Sequence, residues 1–231
     1  MNYLELCQKL NRKSGTADGN LPSTVAGQTG RSLKICNLIE DGYREIQNQS
    51  REWLWLQSTF SGVTISGQRD YAGSDMGVAS RFGSFVCTMD DNEDRFTIYQ
   101  TSLGVADEGQ LRFMPYKSFY TTFMRGTQTN DKPQFFTIQP DGKILLHPIP
   151  DADGYTVKGP YRKSPQTLAV DGDTPEMPTH FHDLVVEAAL MQLAVHDESP
   201  QAGGWQLHKL TLYNQLRRDQ LPKFERPPVF A

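Results

Sequence analysis

The chain has 231 residues, a formal net charge of −4 and three cysteines. That length can bury a sizeable core, in one domain or two small ones. The net negative charge argues against a surface that grips nucleic acid all over, though not against a local basic patch. Cys7, Cys36 and Cys87, odd in number and far apart, exclude a disulfide framework or a cysteine zinc site as the main stabiliser. A reducing compartment fits such cysteines best. The first thirteen residues are polar and charged, unlike a signal peptide. The longest apolar run, LVVEAALMQLAV, is broken by Glu187 and Gln192 and is too short to span a bilayer.

In chain order, residues 3–10 predict a short helix with Leu4, Leu6, Cys7 and Leu10 as its apolar set. A Gly-, Asn- and Ser-rich loop follows. Residues 31–55 predict a long amphipathic helix through Ile35, Leu38, Ile39, Gly42, Tyr43 and Ile46 to Trp53, closing in the aromatic cluster WLWL. Residues 58–168 then read as an antiparallel β block, because GVTISG and RFTIYQ alternate and no crossover helix is evident. Within it QFFTIQPDGKILLHPIP predicts a hairpin around Pro140–Lys143, DADG a turn, and YTVKGPYRK a strand.

Helical periodicity returns beyond Pro178. Phe181, Leu184, Val185, Ala188, Met191 and Val195 mark one apolar face, and Val186, Ala189, Leu190 and Leu193 a second. A helix apolar on nearly all sides is buried within a domain or between subunits. A last helix is predicted over residues 205–220, with Trp205, Leu212 and Leu216 facing inward. The fold class expected is therefore α+β: a helical core from residues 1–57 and 169–231, and an inserted β domain over residues 58–168.

No complete catalytic motif appears. VAGQTGRS, residues 25–32, has the flavour of a phosphate loop, but Val25 stands where the first glycine should be and Arg31 replaces the lysine. Its simpler role is a turn at Gly27 and a cap at Thr29 or Gly30. DDNEDR places Asp90, Asn92 and Asp94 at calcium-loop spacing, but Arg95 and Thr101 occupy the positions of the required Gly and Glu. The five histidines form no HExxH, and His180 and His182 diverge on a helix. No cofactor or metal is expected. Near the C-terminus Arg217, Arg218, Lys223 and Arg226 cluster, and FERPPVF carries Phe224, Pro227, Pro228, Val229 and Phe230 on a segment too short for its own core. Prolines reduce the entropy lost when such a segment docks, so these residues are the candidate partner-binding set, facing a portal or a neighbouring subunit.

TVAGQTG before the long helix, WLWL after it, DGKILLHPIPDADGYTVKGPYRKSP and DGDTPEMPTHFHDLVVEAAL together resemble the head-to-tail adaptors of tailed bacteriophages, particularly the larger adaptors of short-tailed phages. No segment between residues 67 and 110 takes part in the resemblance. It implies a structural virion protein at the head–tail junction, made in the bacterial host cytoplasm. Such a protein binds below the portal as a homo-oligomeric ring, a dodecamer. It meets tail or nozzle proteins and extends the channel used in DNA ejection, without sequence-specific DNA contact and without a membrane. Two rivals stand beside this structural, non-enzymatic role. One is a β domain that binds carbohydrate or protein. The other is a cell-wall glycan hydrolase using Asp90, Asp94, Asp151 or Asp153.

Overall fold

A capping box starts the first helix, α1 (Tyr3–Lys13): the Asn2 side chain accepts from the Glu5 amide, and the Glu5 carboxylate accepts from the Asn2 amide. The computed structural model describes residues 1–15, 21–87, 96–197 and 202–221. The chain divides into two compact units, Met1–Leu56 with Pro165–Ala231, and Gln57–Ser164.

In the helical unit, α2 spans Gly30–Asn48 and follows a turn at Gly27, whose φ is positive. Thr29 stands at the cap, but its hydroxyl makes no capping bond. The Val25 amide instead donates to Asp171 Oδ1 at 2.6 Å, which ties this stretch to the returning chain. The expected helix to Trp55 stops at Asn48. Glu52 N donates to Ser50 Oγ, turning the chain, and Trp53 folds back so that its indole N–H donates to the Ile46 carbonyl at 3.0 Å. One of the helix's orphan carbonyls is thus satisfied and the largest side chain is buried, which a straight continuation would not achieve. Leu54–Leu56 form a 3-10 turn.

The chain returns along α2. Gln47, itself buried, clamps the Gln166 backbone by accepting from its amide at 2.7 Å and donating to its carbonyl at 3.0 Å. The Tyr43 hydroxyl bonds Gln166 Oε1 and accepts from the Glu176 amide. A 3-10 turn, Thr179–Phe181, then leads into α4 (His182–His196). Both apolar faces of α4 are buried inside this one unit, except that Val195 points to solvent in the last turn rather than inward. Gly42 of α2 allows the close approach: a Cβ there would lie 3.1 Å from the Ala189 amide nitrogen and 3.2 Å from the Ala188 methyl. The last helix, α5 (Ala202–Gln220), packs on α4.

The other unit contains nine short strands among the described residues: β1 (Gln57–Val63), β2 (Asp70–Tyr71), β3 (Phe82–Phe85), β4 (Thr97–Gln100), β5 (Gly109–Gln110), β6 (Arg112–Phe113), β7 (Phe135–Ile138), β8 (Ile144–His147) and β9 (Tyr155–Lys163). One sheet runs β1-β9-β4-β5, with β3 also on β9, and the other runs β2-β8-β7-β6. The predicted hairpin is β7–β8, with Gly142 at φ +85° in its turn. GVTISG alternates only as far as Val63, where β1 ends.

The wholly antiparallel expectation needs correction. A helix, α3 (Tyr116–Phe123), lies between β6 and β7, and those two strands pair in parallel. A parallel neighbour needs a crossover long enough to carry the chain back, and α3 lies in that crossover. Its apolar side is aromatic: Phe119 is fully buried, and Phe123 stacks on His147 at 4.0 Å. The two sheets meet through rings. Phe60 of β1 and Phe85 of β3 present edges, and Phe96 stacks on Phe136 of β7 at 4.3 Å. Gly159 of β9 leaves the space Phe96 fills, since a Cβ there would fall 2.3 Å from that ring.

Candidate assembly surface

Helix α5 has two dissimilar sides. Facing its own unit, Leu216 is fully buried, and Trp205, Leu212 and Tyr213 are partly so. Tyr213 meets Trp53 edge-on at 6.2 Å, and Trp53 stacks on Trp55 at 4.6 Å. Polar anchors reinforce this side. Lys209 Nζ lies 2.6 Å from Glu45 of α2, and His208 Nδ1 lies 3.2 Å from Glu187 of α4. Glu187 is only 2% exposed and also takes Lys13 of α1 at 2.5 Å, so one buried carboxylate joins three helices. Its other oxygen has no partner.

The opposite side of α5 is open. Leu207 and Leu210 are 70% and 48% exposed, and Arg217 and Arg218 are exposed in the last turn, where cations suit the helix dipole. The Arg217 guanidinium lies 5.9 Å from the centroid of the Tyr213 ring. Burial raises the pKa of that tyrosine and the arginine charge opposes the rise. Among the described residues neither arginine forms an ion pair. Of the predicted partner-binding set, only these two lie on described chain; Lys223, Phe224, Arg226, Pro227, Pro228, Val229 and Phe230 lie outside it.

A second exposed stripe runs along α2: Leu33, 44% exposed, then Asn37, Glu40, Asp41 and Arg44. Arg44 pairs with both Glu40 and Asp41. At the start of α2, Arg31 pairs with Asp197 at 2.6 Å, and Arg31 with His196 holds that carboxyl well below the usual carboxylate range. Sequence reasoning passed over Leu33, Leu207 and Leu210. Their signal was available: they stand off the inward periodicity of their helices.

The other candidate chemistry resolves into structure. Asp151 accepts from the Tyr155 hydroxyl, Asp153 from the Ser66 amide, and Asp173 from the Ala169 and Val170 amides. These are turn-holding roles. Asp90 and Asp94 lie outside the described residues. His182 is fully buried between the Met1 amine and the Met177 carbonyl, and burial lowers its pKa. Among the described residues no three His, Cys, Asp or Glu side chains could hold a metal ion, and no helix is long and apolar enough to cross a membrane.

A model of the SU10 adaptor protein family matches residues 1–226. The chain belongs to this family. SU10 adaptor proteins are phage head-to-tail adaptors, so this is a structural protein of the virion that meets other neck proteins. None of the curated proteins compared with the chain matches it. Within an adaptor of this family, the exposed stripes of α2 and α5 are the described surfaces suited to assembly: neither is used by the chain's own core.

Proposed function

We propose that this SU10 adaptor protein seats below the portal as a homo-oligomeric ring of twelve copies, and there extends the DNA channel toward the tail or nozzle. The chief support is the family match across nearly the whole chain. The arm adds to it: Lys223, Phe224, Arg226, Pro227, Pro228, Val229 and Phe230 give a short proline-stiffened segment with aromatic anchors and cations. Such a segment loses little entropy when it enters a groove on the portal or a neighbouring copy. DNA passes without sequence reading and the role is mechanical, so no residue is assigned to catalysis.

Mixing the chain with its cognate portal, and weighing the products by native mass spectrometry, tests this. The full chain is expected to form a closed ring on the portal. A chain cut after Leu221 is expected to keep its helical circular dichroism and melting temperature but bind the portal about ten-fold or more weakly, because a terminal segment crosses few core contacts. A protein that stays monomeric, ignores the portal and is absent from virions overturns the proposal.

A further inference from the structure

On α5, Arg217 and Arg218 follow Leu210 by seven and eight residues; on α2, Glu40 and Asp41 follow Leu33 by seven and eight. Two helical turns keep each set on one side of its helix, about 11 Å from its leucine at 1.5 Å per residue. The two stripes therefore carry the same spacing and opposite charge. Arg44 answers only one of the two acidic charges on α2, and Asp219 is the only acid on α5.

The helices also run the same way. Lys209 lies beside Glu45, and four residues on Tyr213 meets Trp53, just past the end of α2, so the two segments ascend together. Rotation about an axis along the helices would bring the α5 of one copy parallel to the α2 of the next. That would match Leu210 to Leu33 and the arginines to the carboxylates. A contact between two different surfaces closes rings, whereas α5 against α5 would face mostly cations with cations.

We infer, on the ring reading above, that neighbouring copies are joined by the outer stripe of α5 (Leu207, Leu210, Arg217, Arg218) packing on the outer stripe of α2 (Leu33, Glu40, Asp41) of the next copy. The occupant is a second copy of this chain.

Charge exchange tests it. Glu40→Lys with Asp41→Lys, and separately Arg217→Glu with Arg218→Glu, are each expected to cut the ring fraction about ten-fold or more at fixed concentration, with portal present. Combining all four substitutions restores the ring. In a Cys87→Ser background, Leu33→Cys with Leu210→Cys is expected to give a ladder of disulfide-linked dimers, trimers and larger species, while each single cysteine gives at most dimers. If folded charge variants form rings as the unmodified chain does, if the four-fold exchange fails to restore them, or if no ladder forms, the α5–α2 contact is wrong and the ring stands. An unmodified chain that stays monomeric with portal overturns both.

Discussion

The helical unit and the β unit bury their cores by different means. The first wraps α1, α2 and α5 around α4, a helix with almost no solvent side, and ties polar groups across long sequence distances through Gln47, Tyr43 and Glu187. The second uses short strands and fills the gap between two sheets with stacked rings around Phe96. A helix surrounded by helices leaves its neighbours' outer faces free to serve as interfaces. An aromatic core is self-contained and asks little of its outer face. The comparison therefore points to the helical unit as the one built for assembly.

The largest expected effect comes from removing the centre of the β core. Phe96→Ala should cost about 3–5 kcal/mol, because its neighbours are rings that cannot collapse into the space. Amide exchange should quicken in β9 while α4 keeps its protection; equal loss in both would merge the two cores into one.

A paired test probes close packing in each unit. Gly42→Leu would drive α2 from α4, and Gly159→Ala would push on the Phe96 ring. Each is expected to cost about 1–3 kcal/mol in chemical denaturation. A neutral Gly159→Ala would show that Phe96 has room to move.

The polar anchoring is peculiar to the helical unit. Lys13→Met leaves the buried Glu187 with His208 alone and is expected to cost about 2–3 kcal/mol, reduced because Lys13 is partly exposed. Glu187→Gln with Lys13→Met should recover part of that loss, and failure to do so would assign the cost to packing.

His182 gives the smallest effect and a sign. Burial lowers its folded pKa, so the unfolded chain takes up the proton first as pH falls. Stability from this residue is complete above about pH 6.5 and falls as pH drops from there toward the folded value. Melting temperature should decline over that range, and His182→Gln should flatten the decline. An unchanged slope would assign it to other groups.

Much of this was legible in the sequence. The helix of α4 and its double burial follow from apolar residues at every face, and the β7–β8 hairpin follows from PDGK between alternating runs. Both signals are local, since propensity and periodicity act within a few residues. The end of α2 was not legible, because WLWL continues the helical period. Trp53 leaves it for a carbonyl on Ile46 and for Tyr213, which is 160 residues away in sequence. The helix α3 was missed because eight residues rich in Phe and Tyr read equally well as strand; what decides is the parallel pairing of β6 with β7.

By itself, the sequence determined the class of each segment, the absence of a complete nucleotide or metal motif, and the likeness to phage adaptors. Tertiary structure decided which polar groups are buried, where α2 stops, and which leucines of α2 and α5 remain outside. Periodicity reports that a helix has an apolar side, but only long-range packing shows whether the chain itself covers that side or leaves it for a neighbour.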